Sequence, residues 1–223
     1  SRVGARTQHS LSLSGGSARS NYRVSADYRS ANGIDLYSGR EEYGARVALN
    51  HTTKGGLITF SLNVAPRVAY RKNASWDVFR NAVEANPTTP IMDPKDPSLY
   101  YNFKGQATGY NPLELLKKDK STGTTKLLDW DGTVKLNLLP LLLNKEDRQT
   151  LTTQLTFADH QYDNYNQWFR PSTSTLAINA GREGEASQDY SKSAVRTLEW
   201  ITNYANSFGN HNFKVMAGYS YQY

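Results

Sequence analysis

Histidine and carboxylate side chains are the residues of this 223-residue chain that could carry out catalysis or hold a metal ion. Its four histidines are His9, His51, His160 and His211. Each falls in a different predicted strand or turn, and no two have the i, i+4 helical spacing of a zinc site. The chain contains no cysteine, and no part of it brings an acid, a histidine and a nucleophile together. We therefore expect no enzyme, no cofactor and no metal centre.

Two acidic segments resemble parts of calcium sites. Residues 129–132, DWDG, resemble the start of an EF-hand loop, but Pro140 stands where that loop needs a glutamate. We interpret this segment as the polar start of a strand. Asp93 and Asp96 lie among prolines and could bind calcium in an outer loop, an alternative that the sequence leaves open.

Aromatic side chains in one long insertion are the candidate contact residues. They are Trp76, Phe79, Tyr100, Tyr101 and Tyr110. We expect some of them to pack together around a helix that begins after Ser75. The others would stack on sugar rings or seat a partner protein, because Tyr and Trp dominate interface hot spots.

The elements that must position these residues are strands, since apolar and polar residues alternate with a period of two in eight segments. In residues 22–29, for example, Tyr22, Val24 and Tyr28 alternate with charged or small polar residues. The predicted strands are 8–15, 21–30, 41–52, 57–67, 128–140, 149–160, 195–206 and 211–223.

Short and long connections alternate strictly along the chain. The short turns lie at 15–20, 53–56, 143–147 and 208–210. The long connections are 33–39, the insertion 68–127 and a second long loop at 161–194. Outer-membrane barrels sort their loops in this way, and a soluble sandwich has no reason to do so. The sequence therefore predicts an all-β fold: an antiparallel meander of about eight strands that forms part of a transmembrane β-barrel, with long extracellular loops and one short loop helix.

Charge and polarity predict the environment that each face of the sheet contacts. The apolar faces should contact outer-membrane lipid, and Arg23, Asp27, Lys135 and Glu199 should point to the lumen, because unpaired charge in lipid is costly. The 26 basic and 20 acidic residues are interspersed and give a net charge of only +6. We therefore expect no nucleic-acid partner.

Three segments resemble the SusC/RagA type of TonB-dependent outer-membrane transporter. They are the early strands from HSLSLSGG to RVAYR (9–71), the loop pieces NPTTPIMDP (86–94) and GYNPLELL (109–116), and the ending LEWITNYANSFGNHNFKVMAGYSYQY (198–223). The family barrel has about 22 strands around a plug. No segment of this chain resembles the plug or its TonB box, so we expect the chain to be a part of that barrel, 1–223, without a second domain.

The resemblance implies function in the cell outer membrane. It implies import of an oligosaccharide or peptide, driven through the TonB complex and assisted by a SusD-like lipoprotein. We expect the aromatic insertion to seat that lipoprotein rather than the cargo, because loops of early strands rise at one side of a wide barrel. A passive porin and a soluble glycan-binding β-protein are the alternatives.

Overall fold

The computed structural model describes residues 3–105, 109–142 and 149–223. The strands are β1 Ala5–Gly16, β2 Ser20–Asn32, β3 Gly39–Thr52, β4 Ile58–Lys72, β5 Lys120–Asn137, β6 Gln149–Arg170, β7 Glu185–Phe208 and β8 His211–Gln222. The helices are α1 Trp76–Glu84, α2 Pro112–Lys118, α3 Leu139–Leu142 and α4 Thr175–Asn179. The turn predicted at 143–147 and the side chain of Trp76 lie outside what the structure describes.

All eight strands belong to one sheet whose spatial order is the chain order. Every neighbouring pair is antiparallel, which confirms the predicted meander. Among the described residues β1 and β8 each pair on one side only, so the sheet is open at both edges. None of the helices in the described ranges is long and apolar enough to cross a membrane.

β4 ends at Lys72 and so extends beyond its predicted end at 67. Three other strands extend even further toward the long loops than their hydrophobic alternation predicts. β5 begins at Lys120, β6 ends at Arg170 and β7 begins at Glu185. The added residues are mostly polar on both faces, so no alternation marks them. Their backbone groups are nevertheless paired across the ladder, as where Thr124 lies opposite Tyr165.

The predicted bounds of the two long loops, 68–127 and 161–194, are therefore wrong. The connections are 73–119 and 171–184. The predicted loop helix is confirmed as α1, where the Ser75 side chain accepts a hydrogen bond from the Asp77 backbone N–H at 3.2 Å. The other three helices were not predicted, because each is too short to show a helical repeat of apolar residues.

The two faces of the sheet differ in polarity. Residues directly opposite each other on neighbouring strands share a face. One row of the apolar face contains Tyr22, Leu49, Leu62, Gly132, Phe157, Leu198 and Tyr221. The adjacent row, on the polar face, contains Arg23, Ala48, Asn63 and Asp131.

The same pairing places Asp27, Lys135 and Glu199 on the polar face together with Arg23, which confirms that these four charges share one side. That this side is the lumen of a barrel stays a prediction.

The apolar band crosses the hydrogen-bonded rows obliquely. Tyr22 and Leu198 stand in one row, but Tyr22 ends the band at the short-turn end of β2, where Ser20 follows. Leu198 ends the band at the opposite, long-loop end of β7, where Arg196 follows. The band therefore shifts by roughly six residues over five strand steps, which corresponds to a strand tilt of roughly 40°.

Most of the apolar face is exposed. Leu13 is 64% exposed, Val215 47% and Tyr219 63%. The accessible surface is 15191 Å², whereas a compact soluble monomer of 25.0 kDa has about 10,000 Å². This sheet therefore exposes far more surface than a compact soluble fold of its size.

Candidate binding surface in the loop layer

A small apolar core joins the segments at the long-loop end of the sheet. We call these segments, 33–38, 73–119 and 171–184, the loop layer. Its core consists of Val78 on α1 with Leu115 and Leu116 on α2, all at most 7% exposed. Tyr37 and Leu176 pack against it from the other two segments. The layer is thus a packed structure, and the part of its core that the structure describes is built on aliphatic side chains.

A buried carboxylate connects α2 to α4. Glu114 is 1% exposed and accepts hydrogen bonds from Lys118 Nζ at 2.9 Å and from the Thr175 backbone N–H at 3.0 Å. The Thr175 hydroxyl donates to the same carboxylate. Lys118 Nζ also donates to the Thr173 carbonyl and lies 5.5 Å from the centre of the Tyr100 ring. Negative charge at the first residue of α4 is favourable, because the first backbone N–H groups of a helix have no partner within the helix.

Asn111 holds the middle of the insertion. Its side-chain oxygen caps α2 by accepting from the backbone N–H groups of Leu113 and Glu114. Its amide group donates to the carbonyls of Ile91 at 2.8 Å and Tyr101 at 3.2 Å. One side chain, 1% exposed, therefore fixes both the start of α2 and the segment that carries the predicted aromatic residues.

Asp93 and Asp96 support turns. Asp93 Oδ1 accepts from the Lys95 backbone N–H at 2.8 Å, and Asp96 Oδ1 accepts from the Ser98 N–H at 3.0 Å. A hydrogen bond from the Ser98 hydroxyl at 2.7 Å, together with the one from the Ser98 N–H, lowers the pKa of Asp96. In the described ranges, no group of three or more His, Asp or Glu side chains is arranged to hold a metal ion.

Of the predicted aromatic residues, Tyr100 and Tyr101 have different neighbours. The Tyr100 ring lies under Lys118, and Tyr101 packs edge-on against Phe103 with ring centres 5.9 Å apart. Phe103 is 3% exposed, so Tyr101 partly serves the loop fold itself. Phe79 is half-buried on α1. Tyr110, at 36%, is the most exposed of the four whose side chains are described.

An arginine clamp joins the extended strand ends beneath the layer. The Arg170 guanidinium donates to both carboxylate oxygens of Asp119, the shortest bond being 2.7 Å, and to Glu185 at 3.0 Å. Its Cζ lies 4.8 Å from the centre of the Trp168 ring. The clamp joins Asp119, which directly precedes β5, to the end of β6 and the start of β7.

The 33–38 loop is organised by Asp35. Its carboxylate accepts hydrogen bonds from the Tyr37 N–H at 2.7 Å, the Ser38 N–H at 2.5 Å and the Ser38 hydroxyl. Partial burial raises the pKa of Asp35, but the hydrogen bonds from Ser38 and Tyr37 outweigh it and the net pKa is lowered. Burial raises the pKa of Tyr37, whose hydroxyl faces the Ser121 carbonyl.

Arginine residues on the polar face were missed by the sequence analysis as a group. Glu42, 6% exposed, accepts from Arg29 at 3.1 Å and Arg40 at 2.5 Å. Arg71 donates to the side-chain oxygens of Asn164 at 2.9 Å and Asn166 at 3.3 Å. The signal was present in the sequence, because an even spacing such as that of Arg23 and Arg29 places two residues of one strand on the same face.

Glycine leaves the space for Arg71. A Cβ at Gly123 would lie 2.8 Å from Asn166 Oδ1, which is closer than real Cβ contacts, and 3.0 Å from Arg71 Nη2, which is tighter than most. A side chain at position 123 would therefore require the ends of the Arg71 and Asn166 side chains to shift.

No protein-family model matches the chain, and no curated protein matches it in sequence. Solved structures match it in fold, among them the following three. A structure of the RagAB peptide transporter has a TM-score of 0.67 and 14% identity, over 97% of this chain. The RagAB peptide importer in its "open-open" and "closed-closed" states gives TM-scores of 0.68 and 0.67, with 14% and 15% identity over 96% of this chain. The chain spans 24% of the length of each. Its fold is that of part of a β-barrel transporter.

Proposed function

We propose that this chain forms part of the wall of an outer-membrane transporter that imports a nutrient. The observation that carries the proposal is the oblique apolar band on one face of a meander sheet, opposite a face rich in charge. A band inclined by roughly 40° to the rows becomes parallel to the membrane plane when the strands tilt as they do in membrane barrels. The fold match over 97% of the chain supports the same reading.

The alternative of a soluble glycan-binding protein is less well supported. Its apolar face would need a second layer, whereas Leu13 and Tyr219 are more than half exposed here. A lipid environment covers such a face without any further protein layer.

A peptide is the cargo we favour over an oligosaccharide. The matched structures are of peptide transporters, and their RagAB name agrees with the SusC/RagA resemblance of the sequence. By that resemblance, energy would come through the TonB complex and a SusD-like lipoprotein would close the extracellular side.

The loop layer is the surface we assign to the lipoprotein partner. In addition to the predicted aromatic residues, it exposes apolar side chains that its own core does not use. Ile91 is 52% exposed, Leu99 54% and Val83 86%. Apolar groups exposed on a packed layer are typical of protein interfaces.

Uptake by cells tests the proposed import. Deleting the gene that encodes this chain should abolish uptake of fluorescent peptides, and a protonophore should abolish it in the parent strain. The protein should be extracted from outer membranes only with detergent. Uptake that survives the protonophore would favour the passive porin. Recovery of the protein in the soluble fraction would contradict the membrane assignment.

A pull-down tests the partner surface. Leu99→Ala combined with Tyr110→Ala should weaken lipoprotein retention about tenfold, because both side chains are exposed. Lys54→Ala, in the short turn between β3 and β4, is the matched control and should change nothing. Unchanged retention with lost uptake would mean that the layer contacts cargo, contrary to our assignment.

A further inference from the structure

Seven arginines lie on the polar face of the first four strands. We call this group the arginine strip: Arg6, Arg23, Arg29, Arg40, Arg46, Arg67 and Arg71. The same face of these strands carries two carboxylates, Asp27 and Glu42, and no lysine. The strip therefore has a formal excess of positive charge.

The excess charge is not neutralised within the described residues. Arg40 and Arg71 stand directly opposite each other on β3 and β4, an arrangement of like charges that destabilises a sheet. Arg23 and Arg46 are exposed, and neither has a hydrogen-bond or ion-pair partner in the described part of the chain. The buried Nε atoms of Arg29 and Arg71 also lack an acceptor there. This number of arginine N–H donors without an acceptor points to an anion that comes from outside the sheet.

The charge is local to these strands. On β5 to β8 the polar face carries carboxylates in excess. Its acidic residues are Asp129, Asp131, Glu185, Asp189 and Glu199, and its basic residues other than His160 are Lys135, Arg170 and Lys214. One half of the wall thus attracts anions while the other half does not.

We propose that the arginine strip binds the carboxylates of acidic peptide cargo, an inference that rests on the proposed import of peptides. Glu42, held by Arg29 and Arg40, shows that guanidinium groups of this strip already bind one carboxylate. Arginine suits this task because its planar fork can form two parallel hydrogen bonds to a carboxylate. From Arg23 to Arg29 the strip runs about 20 Å along β2, the length of an extended peptide of roughly six residues.

Binding of three labelled hexapeptides to the whole detergent-purified transporter tests the inference. The peptides alternate alanine with glutamate, glutamine or lysine. The glutamate peptide should bind at least about tenfold more tightly than the glutamine peptide at low salt, and high salt should reduce this difference. The lysine peptide should bind most weakly.

Two variants locate the effect. Arg23→Gln with Arg46→Gln should weaken binding of the glutamate peptide about tenfold and leave the glutamine peptide within about twofold. These residues are diagonal neighbours without internal partners, so the thermal midpoint should not fall. Lys72→Gln, next to Arg71 but on the opposite face, is the control and should leave both affinities unchanged.

The outcomes separate the inference from the proposed function. Equal binding of the glutamate and glutamine peptides, or a glutamate preference that persists in the double variant, would overturn the inference and leave peptide import standing. Failure to bind any of the three peptides would overturn both.

Discussion

Single buried side chains decide whether the loop layer holds together. Glu114→Gln removes the negative charge that Lys118 and the first turn of α4 share. Hydrogen bonds to charged groups contribute about 1.5–3 kcal/mol each, so local opening of the layer should become easier by about 2 kcal/mol. Hydrogen exchange at the Leu115 and Thr175 amides measures this change in the free energy of local opening.

Glu84→Gln is the control for this variant, because Glu84 is exposed at the end of α1. It should leave both exchange rates unchanged. Equal effects of the two substitutions would mean that the Glu114 contacts do not stabilise the layer.

Asp35 makes the 33–38 loop sensitive to acid. The pKa of Asp35 in the fold lies below its ordinary value of 3.8. The stabilisation that ionised Asp35 gives to the loop is therefore complete above that pH. The contribution is lost as the pH falls through the lowered pKa. Hydrogen exchange of the Tyr37 and Ser38 amides should therefore report additional opening of the loop only below about pH 4. Asp35→Asn should show faster exchange at neutral pH and no such acid step; a step that persists in the variant would assign it to another group.

At the scale of elements, one side chain joins a helix to a loop. Asn111→Asp keeps an acceptor for the N–H groups of α2 but places negative charge against the carbonyls of Ile91 and Tyr101. Asn111→Ala removes the cap, which costs about 1 kcal/mol. It also removes a donor from both carbonyls, of which that of Ile91 keeps the Tyr101 backbone N–H. We expect the aspartate variant to be the less stable, as measured by protease cleavage within 86–104. If the alanine variant is cleaved faster, capping matters more than the link to the loop.

At the scale of the whole molecule, tilt separates residues that share a row. Tyr22 and Leu198 lie five strand steps apart in one row, so a tilt of roughly 40° should place Leu198 about 15 Å nearer the long-loop side of the membrane. Spin labels at the two positions should report this difference in depth. Labels at Tyr22 and Leu62, only two strand steps apart, should differ by about 6 Å. Equal depths for Tyr22 and Leu198 would contradict the tilted wall.

The sequence by itself determined the strands, their order and their faces. A period of two assigns Arg23 and Asp27 to the same face, independently of which strands are adjacent, because alternation is a local property of the backbone. The alternation of short and long loops and the helix N-cap at Ser75 could also be predicted from local sequence. Strand ends were not readable where polar residues lie on both faces, as between Lys120 and Lys126.

Only the tertiary structure decided the register and the loop layer. The oblique band and the arginine strip depend on which residues of separate strands are opposite, as Arg40 is to Arg71. In the layer, Glu114 binds Thr175, which is 61 residues away in the chain. Such contacts carry no local pattern, because the partners are far apart in the chain and lie close together only through the pairing of the strands between them.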